Sequence, residues 1–227
     1  MSDTSPNPQL LRALGRLARG LSALFWGLPA ALIVCAETAR AEWLKPLGIL
    51  PALAVNALLL YGLWQMSDFQ KQERPWRNAL DRARLLALVD LGLCPFVFWH
   101  NKMPGEFFFS ASVMLLEISG VLFLFNLNLV LKRLGAMLPD ETLRHETRQF
   151  TALNRWLLVG LLLVSLGVIS LAEVRLSTPV AGRLLGWLEA ASHLILIFFV
   201  LLPLAMTMAL IWKTKEVILD AVFGTRH

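Results

Sequence analysis

The sequence predicts an all-α fold: a polytopic transmembrane helical bundle of about six spans, with both termini on the cytoplasmic side. Three observations carry that reading. Hydrophobic residues make up 57% of the 227-residue chain and charged residues 16%, against about 45–50% and about 25% in soluble domains. Mean hydropathy is +0.63, so there is too little polar surface to cover a water-soluble globule. Third, six apolar stretches, 20–36, 46–66, 85–100, 107–131, 153–172 and 184–212, are divided by charges or turn residues, and a spanning helix needs about 20 residues.

Each element follows from its local pattern. Residues 8–21, PQLLRALGRLARGL, place Leu10, Leu14, Leu17 and Leu21 on one helical stripe and Arg12, Arg16 and Arg19 off it. That predicts an amphipathic helix over residues 1–19, lying on a membrane surface with its arginines at anionic headgroups. The first span ends at ETARAE, an Ala-x-Ala pattern that resembles a signal-peptide junction. Cleavage after Ala41 would leave five spans; the segment is expected to be retained. After the second span, ERPWRNALDRAR puts Pro75 at a helix start, with Arg77 and Arg82 expected at headgroups. The third span is the shortest. The rim turn WHNKMPGE bends at Pro104–Gly105 and brings His100 near Glu106. Beyond the fourth span, LPDETLRHETRQF starts a helix with acids at its positive end. The sixth segment is the longest, and Pro203 gives it a place to bend.

Lysine and arginine set the orientation. Three fall in the N-terminus, five between spans two and three, five between four and five, and three in the C-terminus, against five on the opposite side. The positive-inside rule then places both termini in the cytoplasm; a bacterial-type inner membrane is the expected setting, an expectation that the charge bias itself does not carry. Trp43, Trp99 and Trp187 fall at the outer boundary and Trp64, Trp76, Trp156 and Trp212 at the inner one, as two aromatic belts. No loop is long enough for a soluble domain, so residues 1–227 form a single integral membrane domain. Internal repeats are not expected: the prolines of the two halves do not correspond.

The net charge of +5 and pI of 9.7 are explained by this loop bias and anionic lipid, so nucleic acid is not an expected partner. Cys35 and Cys94 lie in apolar runs without CxxC or Cys/His spacing and read as packing residues. No metal or cofactor is expected. A b-type haem needs facing axial ligands, commonly His, and only His193 lies mid-membrane. HExxH, GxSxG and glycine-rich nucleotide fingerprints are absent from the sequence, and catalysis is not expected.

The informative residues are polar groups inside the apolar runs. On a 1.5 Å rise per residue, Glu117 sits about 15 Å deep, with His193 and Asn56 at similar depth. Asp90 and Asn126 lie lower. Ser110, Glu117 and Asn128 follow helical spacing and share one face. An ionised carboxylate facing lipid costs about 2.5–3.5 kcal/mol, so Glu117 is expected to face the bundle interior and to be protonated. Asn126 and Asn128 are expected to bond neighbouring helices, and His193 to find Glu189 one turn away. Two functions follow. One is a small transporter, channel or proton-coupled unit using Glu117 and His193, with Asn56 and Asp90 along the path. The alternative is a non-catalytic scaffold or accessory subunit that binds another membrane protein, itself or lipid.

Overall fold

The computed structural model describes residues 8–40, 45–70, 72–103, 105–138, 141–174 and 197–223. They form α1 (Pro8–Arg40), a 3-10 turn (Lys45–Leu47), α2 (Leu50–Gln65), a second 3-10 turn (Met66–Asp68), α3 (Arg74–Leu93), α4 (Pro95–Lys102), α5 (Phe107–Met137), α6 (Glu141–Val174), a π turn (Ile197–Leu201) and α7 (Leu202–Phe223). No strand occurs among the described residues. Five stretches are long and apolar enough to cross a membrane: Leu11–Ala39, Leu50–Asp68, Arg74–Lys102, Phe107–Met137 and Phe198–Asp220. The predicted fifth segment, 153–172, is helical within α6. The start of the predicted sixth segment, with His193 and Glu189, lies outside the described residues.

The N-terminal stretch departs from expectation. Among the described residues there is no separate surface helix: α1 runs unbroken for 33 residues from Pro8. Its leucine stripe turns inward, with Leu17, Leu21 and Leu24 fully buried, while Arg12, Arg16 and Arg19 remain exposed. An apolar stripe looks the same in sequence whether it meets lipid or neighbouring helices. Here α1 lies against α2 along one side and α7 along another, and meets α4 toward its far end. Arg16 is held by an ion pair with Asp68 beyond α2.

The third segment is also longer than predicted. Helix α3 starts with Pro75 in its first turn, where a missing N–H costs nothing. It reaches Cys94, and α4 restarts at Pro95. The proline ring removes one backbone bond, and the helix breaks there rather than ending.

Helix α1 packs along α2, α3 along α5, α5 along α6, and α7 against α1, α5 and α6. The apolar core draws on Leu17–Leu28 of α1, Leu59 and Leu63 of α2, Leu80–Ala87 of α3, Phe123–Leu134 of α5 and Leu210–Ile218 of α7. These are the start of α1 and α3 and the end of α2, α5 and α7. The core therefore sits toward the end of the bundle that carries Arg12–Arg19, Arg74–Arg84 and Lys213–Lys215. Trp64, Trp156 and Trp212 are exposed at that end. Trp76 does not join them: it is 1% exposed, edge-on to Phe69 at 6.2 Å. At the opposite end Phe96, Phe108, Phe109 and Trp99 form a linked aromatic group.

The tightest approach is between α1 and α2. A Cβ added to Gly20 would fall 2.6 Å from the Gly62 carbonyl oxygen, so a side chain there is sterically excluded. The end of α2 is then tied to α3. The Arg84 guanidinium donates to the Leu63 carbonyl at 3.0 Å and lies over the Trp64 ring at 5.8 Å. It reaches a carbonyl in the last turn of α2, where intrahelical partners run out.

Candidate functional site

Among the described residues, the polar side chains singled out from sequence do not form one layer. They separate into a buried group between α1, α2, α3 and α5, a buried crossing between α5, α6 and α7, and Glu117 apart from both.

In the first group Asn56 is buried on α2. Its amide donates to the Ala52 carbonyl at 2.9 Å and approaches the Cys35 sulfur at 3.8 Å. Asp90 is buried on α3 beside Ser119 of α5. Cys94 is buried at the α3–α4 break. The two cysteines thus flank the polar residues of this group, a neighbourhood that their separate apolar runs did not reveal.

The second group is a hydrogen-bonded crossing. Asn128 of α5 and Asn154 of α6 each donate to the Thr207 hydroxyl of α7, both at 2.9 Å. Thr207 donates in turn to the Pro203 carbonyl at 2.8 Å, which Asn154 also reaches at 3.2 Å. Proline at 203 cannot donate, and its ring leaves the backbone ahead of it without a regular partner. The π turn Ile197–Leu201 immediately precedes it, so these side chains brace an irregular stretch. Asn128 is where the sequence pointed. Asn154 and Thr207 are not residues the sequence singled out. A signal was present: Thr147, Thr151 and Asn154 follow four- and three-residue spacing on α6, and all three are buried.

Glu117 is a correction. It lies on the exposed side of α5, not in the interior, between the exposed Met114 and Leu115 and the exposed Leu122. Its spacing from Asn128 does put both on one side of the helix. However, α5 buries that side only in its second half, at Asn128, Leu131 and Gly135; before Phe123 only Ser112 and Ser119 are buried, and helical spacing puts them on a different side. The nearby titratable group is His100 of α4, whose ring meets the Ser110 hydroxyl at 3.4 Å. Asn126 is a second correction. It donates to the Leu122 carbonyl of its own helix at 2.9 Å rather than to a neighbouring helix.

The arginines expected at headgroups, Arg12, Arg16, Arg19, Arg77 and Arg82, are all exposed. Among the described residues no cluster of three His, Cys, Asp or Glu side chains could hold a metal ion. One cavity, about 240 Å³, opens between α5 and α6 at the basic end, lined by Asn128, Lys132, Arg148, Thr151 and Arg155 with Phe125, Leu129 and Leu158. Comparison with known protein families, curated proteins and solved structures finds no match.

Proposed function

We propose that this protein is a non-catalytic membrane module, a scaffold or accessory subunit that binds another membrane protein through the outer side of α5. In this reading it spans the inner membrane six times, with both termini in the cytoplasm. The observation that carries the proposal is the position of Glu117. A carboxylate near the middle of a span, exposed among Met114, Leu115 and Leu122, costs about 2.5–3.5 kcal/mol against lipid. A polar or cationic group on a partner helix offsets that cost and gives the contact its specificity. The buried polar groups fit the same reading: Asn128, Asn154 and Thr207 join helices to each other.

The competing function, a transporter or proton-coupled unit, needs Glu117 on a path through the bundle. One experiment separates the two. A photo-crosslinking residue is placed at Leu115 or Leu122, and the purified protein is assayed for proton flux in liposomes. The module predicts a discrete crosslink to a second membrane protein, and no flux that depends on Glu117. Flux that Glu117→Gln abolishes in a folded protein would overturn the proposal in favour of transport.

A further inference from the structure

We infer that the basic cavity between α5 and α6 is a binding site for a phosphate ester, and that its occupant is the headgroup of an anionic phospholipid. The site is distinct from the α5 surface invoked above; it lies further along the helix, from Phe125 to Lys132, against α6.

Charge comes first. Lys132, Arg148 and Arg155 line one cavity of about 240 Å³. Among the described residues no carboxylate pairs with any of them: the ion pairs there are Arg16–Asp68, Arg84–Asp81 and Lys213–Glu146. Glu146, on the same stretch of α6, is therefore engaged by Lys213 of α7. Three cations around one hollow repel each other, and an anion between them turns that repulsion into attraction. Two arginines favour an oxyanion that can accept from a planar fork, as phosphate does.

The walls provide the second argument. Thr151 is buried, and its hydroxyl has no hydrogen-bond partner. Asn128 is buried, and its amide oxygen has none either, although its nitrogen is used at Thr207. Buried polar atoms are almost always satisfied; these two lie just behind the cavity wall, shielded from solvent, and a side-chain rotation on binding would bring them to a ligand. The Thr151 hydroxyl can donate to a phosphate oxygen. The Asn128 oxygen can only accept, and suits a hydroxyl or ammonium carried by the same headgroup.

Size and position select the source. The cavity is below the roughly 300–1,000 Å³ of drug-sized sites, which fits a headgroup better than a nucleotide. Phe125, Leu129 and Leu158 continue its wall as an apolar surface, along which an acyl chain can lie. Exposed Trp156 follows Arg155 directly, at the level where aromatic belts mark a membrane interface. Basic pockets between spanning helices are suited to anionic headgroups in this way.

The test uses the full chain in a neutral detergent and calorimetric titration with short-chain phosphatidylglycerol, phosphatidylcholine of the same chains, and inorganic phosphate. The expected result is saturable phosphatidylglycerol binding that weakens as salt rises, with much weaker phosphatidylcholine binding. Replacing both Lys132 and Arg148 with Gln should lower phosphatidylglycerol affinity roughly tenfold or more, taking about 1 kcal/mol per basic residue. Arg144→Gln, an exposed change outside the cavity, should leave it unaltered. Inorganic phosphate that binds as tightly as the lipid, with the same loss in the double variant, would keep the phosphate site but overturn its assignment to lipid. Equal binding of the two phospholipids by the unaltered protein, or an unchanged affinity in a folded double variant, would overturn the site itself. If the double variant does not fold, the lipid selectivity and salt dependence of the unaltered protein decide the question alone.

Discussion

The seam between α1 and α2 and the seam between α5 and α6 are built from different materials. The first is apolar and closed. Gly20 and Gly62 let the two backbones touch, and Leu21, Leu24, Leu59 and Leu63 fill the space around them. The second meets closely at Gly135 and Thr147 but then opens into a cavity walled by Asn128, Thr151 and three cations. Lipid removes most of the hydrophobic incentive for one helix to meet another, so either close packing or polar bonds must supply it. The first seam relies on packing and leaves no room for anything else. The second relies on hydrogen bonds through Thr207, and the space beside them can admit a ligand.

The largest effect should come from filling the closed seam. Gly20→Val places a branched side chain where even a Cβ meets the Gly62 carbonyl oxygen at 2.6 Å. The helices must separate, at a cost near the top of the usual range of about 1–3 kcal/mol for overpacking, because backbone rather than a flexible side chain is in the way. Gly15→Val, on the same helix with nothing within 4 Å, should cost no more than about 0.5 kcal/mol. Equilibrium unfolding in mixed micelles measures both. Similar losses for the two would mean that the seam is not held by backbone contact.

The polar seam should be weaker. Asn154→Leu removes two donors, to Thr207 and to Pro203, and is expected to cost about 1–2 kcal/mol, as interhelical bonds of this kind do in model peptides. Asn128→Leu should cost a similar amount and, with Asn154→Leu, less than the sum of the two, because both donate to one hydroxyl. Strict additivity in the double variant would show that Thr207 does not couple them.

Smaller again is the tie at the end of the closed seam. Arg84→Ala gives up the bond to the Leu63 carbonyl and the contact with Trp64, worth about 1 kcal/mol together at a partly exposed site. Arg84→Lys keeps the charge but loses the fork, and should recover only part of that. Full recovery by lysine, read from the same unfolding curves, would assign the tie to charge alone.

How much of this was legible in the sequence depends on the kind of information. Spans could be placed because run length and flanking charge are local: the stretches around 46–66 and 107–131 correspond to α2 and α5. The start at Pro75 follows from proline chemistry in the same way; the break at Pro95 is not among the sequence expectations, which place one unbroken short span there. Which face meets which neighbour is not local. In α5 nearly every side is apolar, so spacing could place Glu117 and Asn128 together but could not say where the neighbouring helices stop covering that side. The same blindness turned the leucines of α1 into a membrane contact. Asp90 could be ranked by depth, but nothing in its own segment marked Ser119 as its neighbour. The cavity is hidden in the sequence because its cations read as loop charges; only the fold brings Lys132 to the same hollow as Arg148 and Arg155.

The smallest expected effect is the one that bears most directly on function. Glu117 and Ser119 are two residues apart on α5, one exposed and one buried. In the isolated chain Glu117→Leu should change stability by less than about 0.5 kcal/mol, the usual range for a surface position, or raise it, because an apolar side chain replaces a carboxylate in contact with lipid. Ser119→Leu inserts volume beside Asp90 and should cost about 1–3 kcal/mol. The contrast tests which side of α5 is covered without reference to any partner. A loss at Glu117 as large as that at Ser119 would mean that the carboxylate is held inside the isolated bundle, and would remove the reason to look for a second protein at this surface. If the contrast holds, the partner should register the substitution instead: the crosslink from Leu122 should disappear in Glu117→Leu while the protein remains folded, because the contact that offset the carboxylate is the one that placed the partner there.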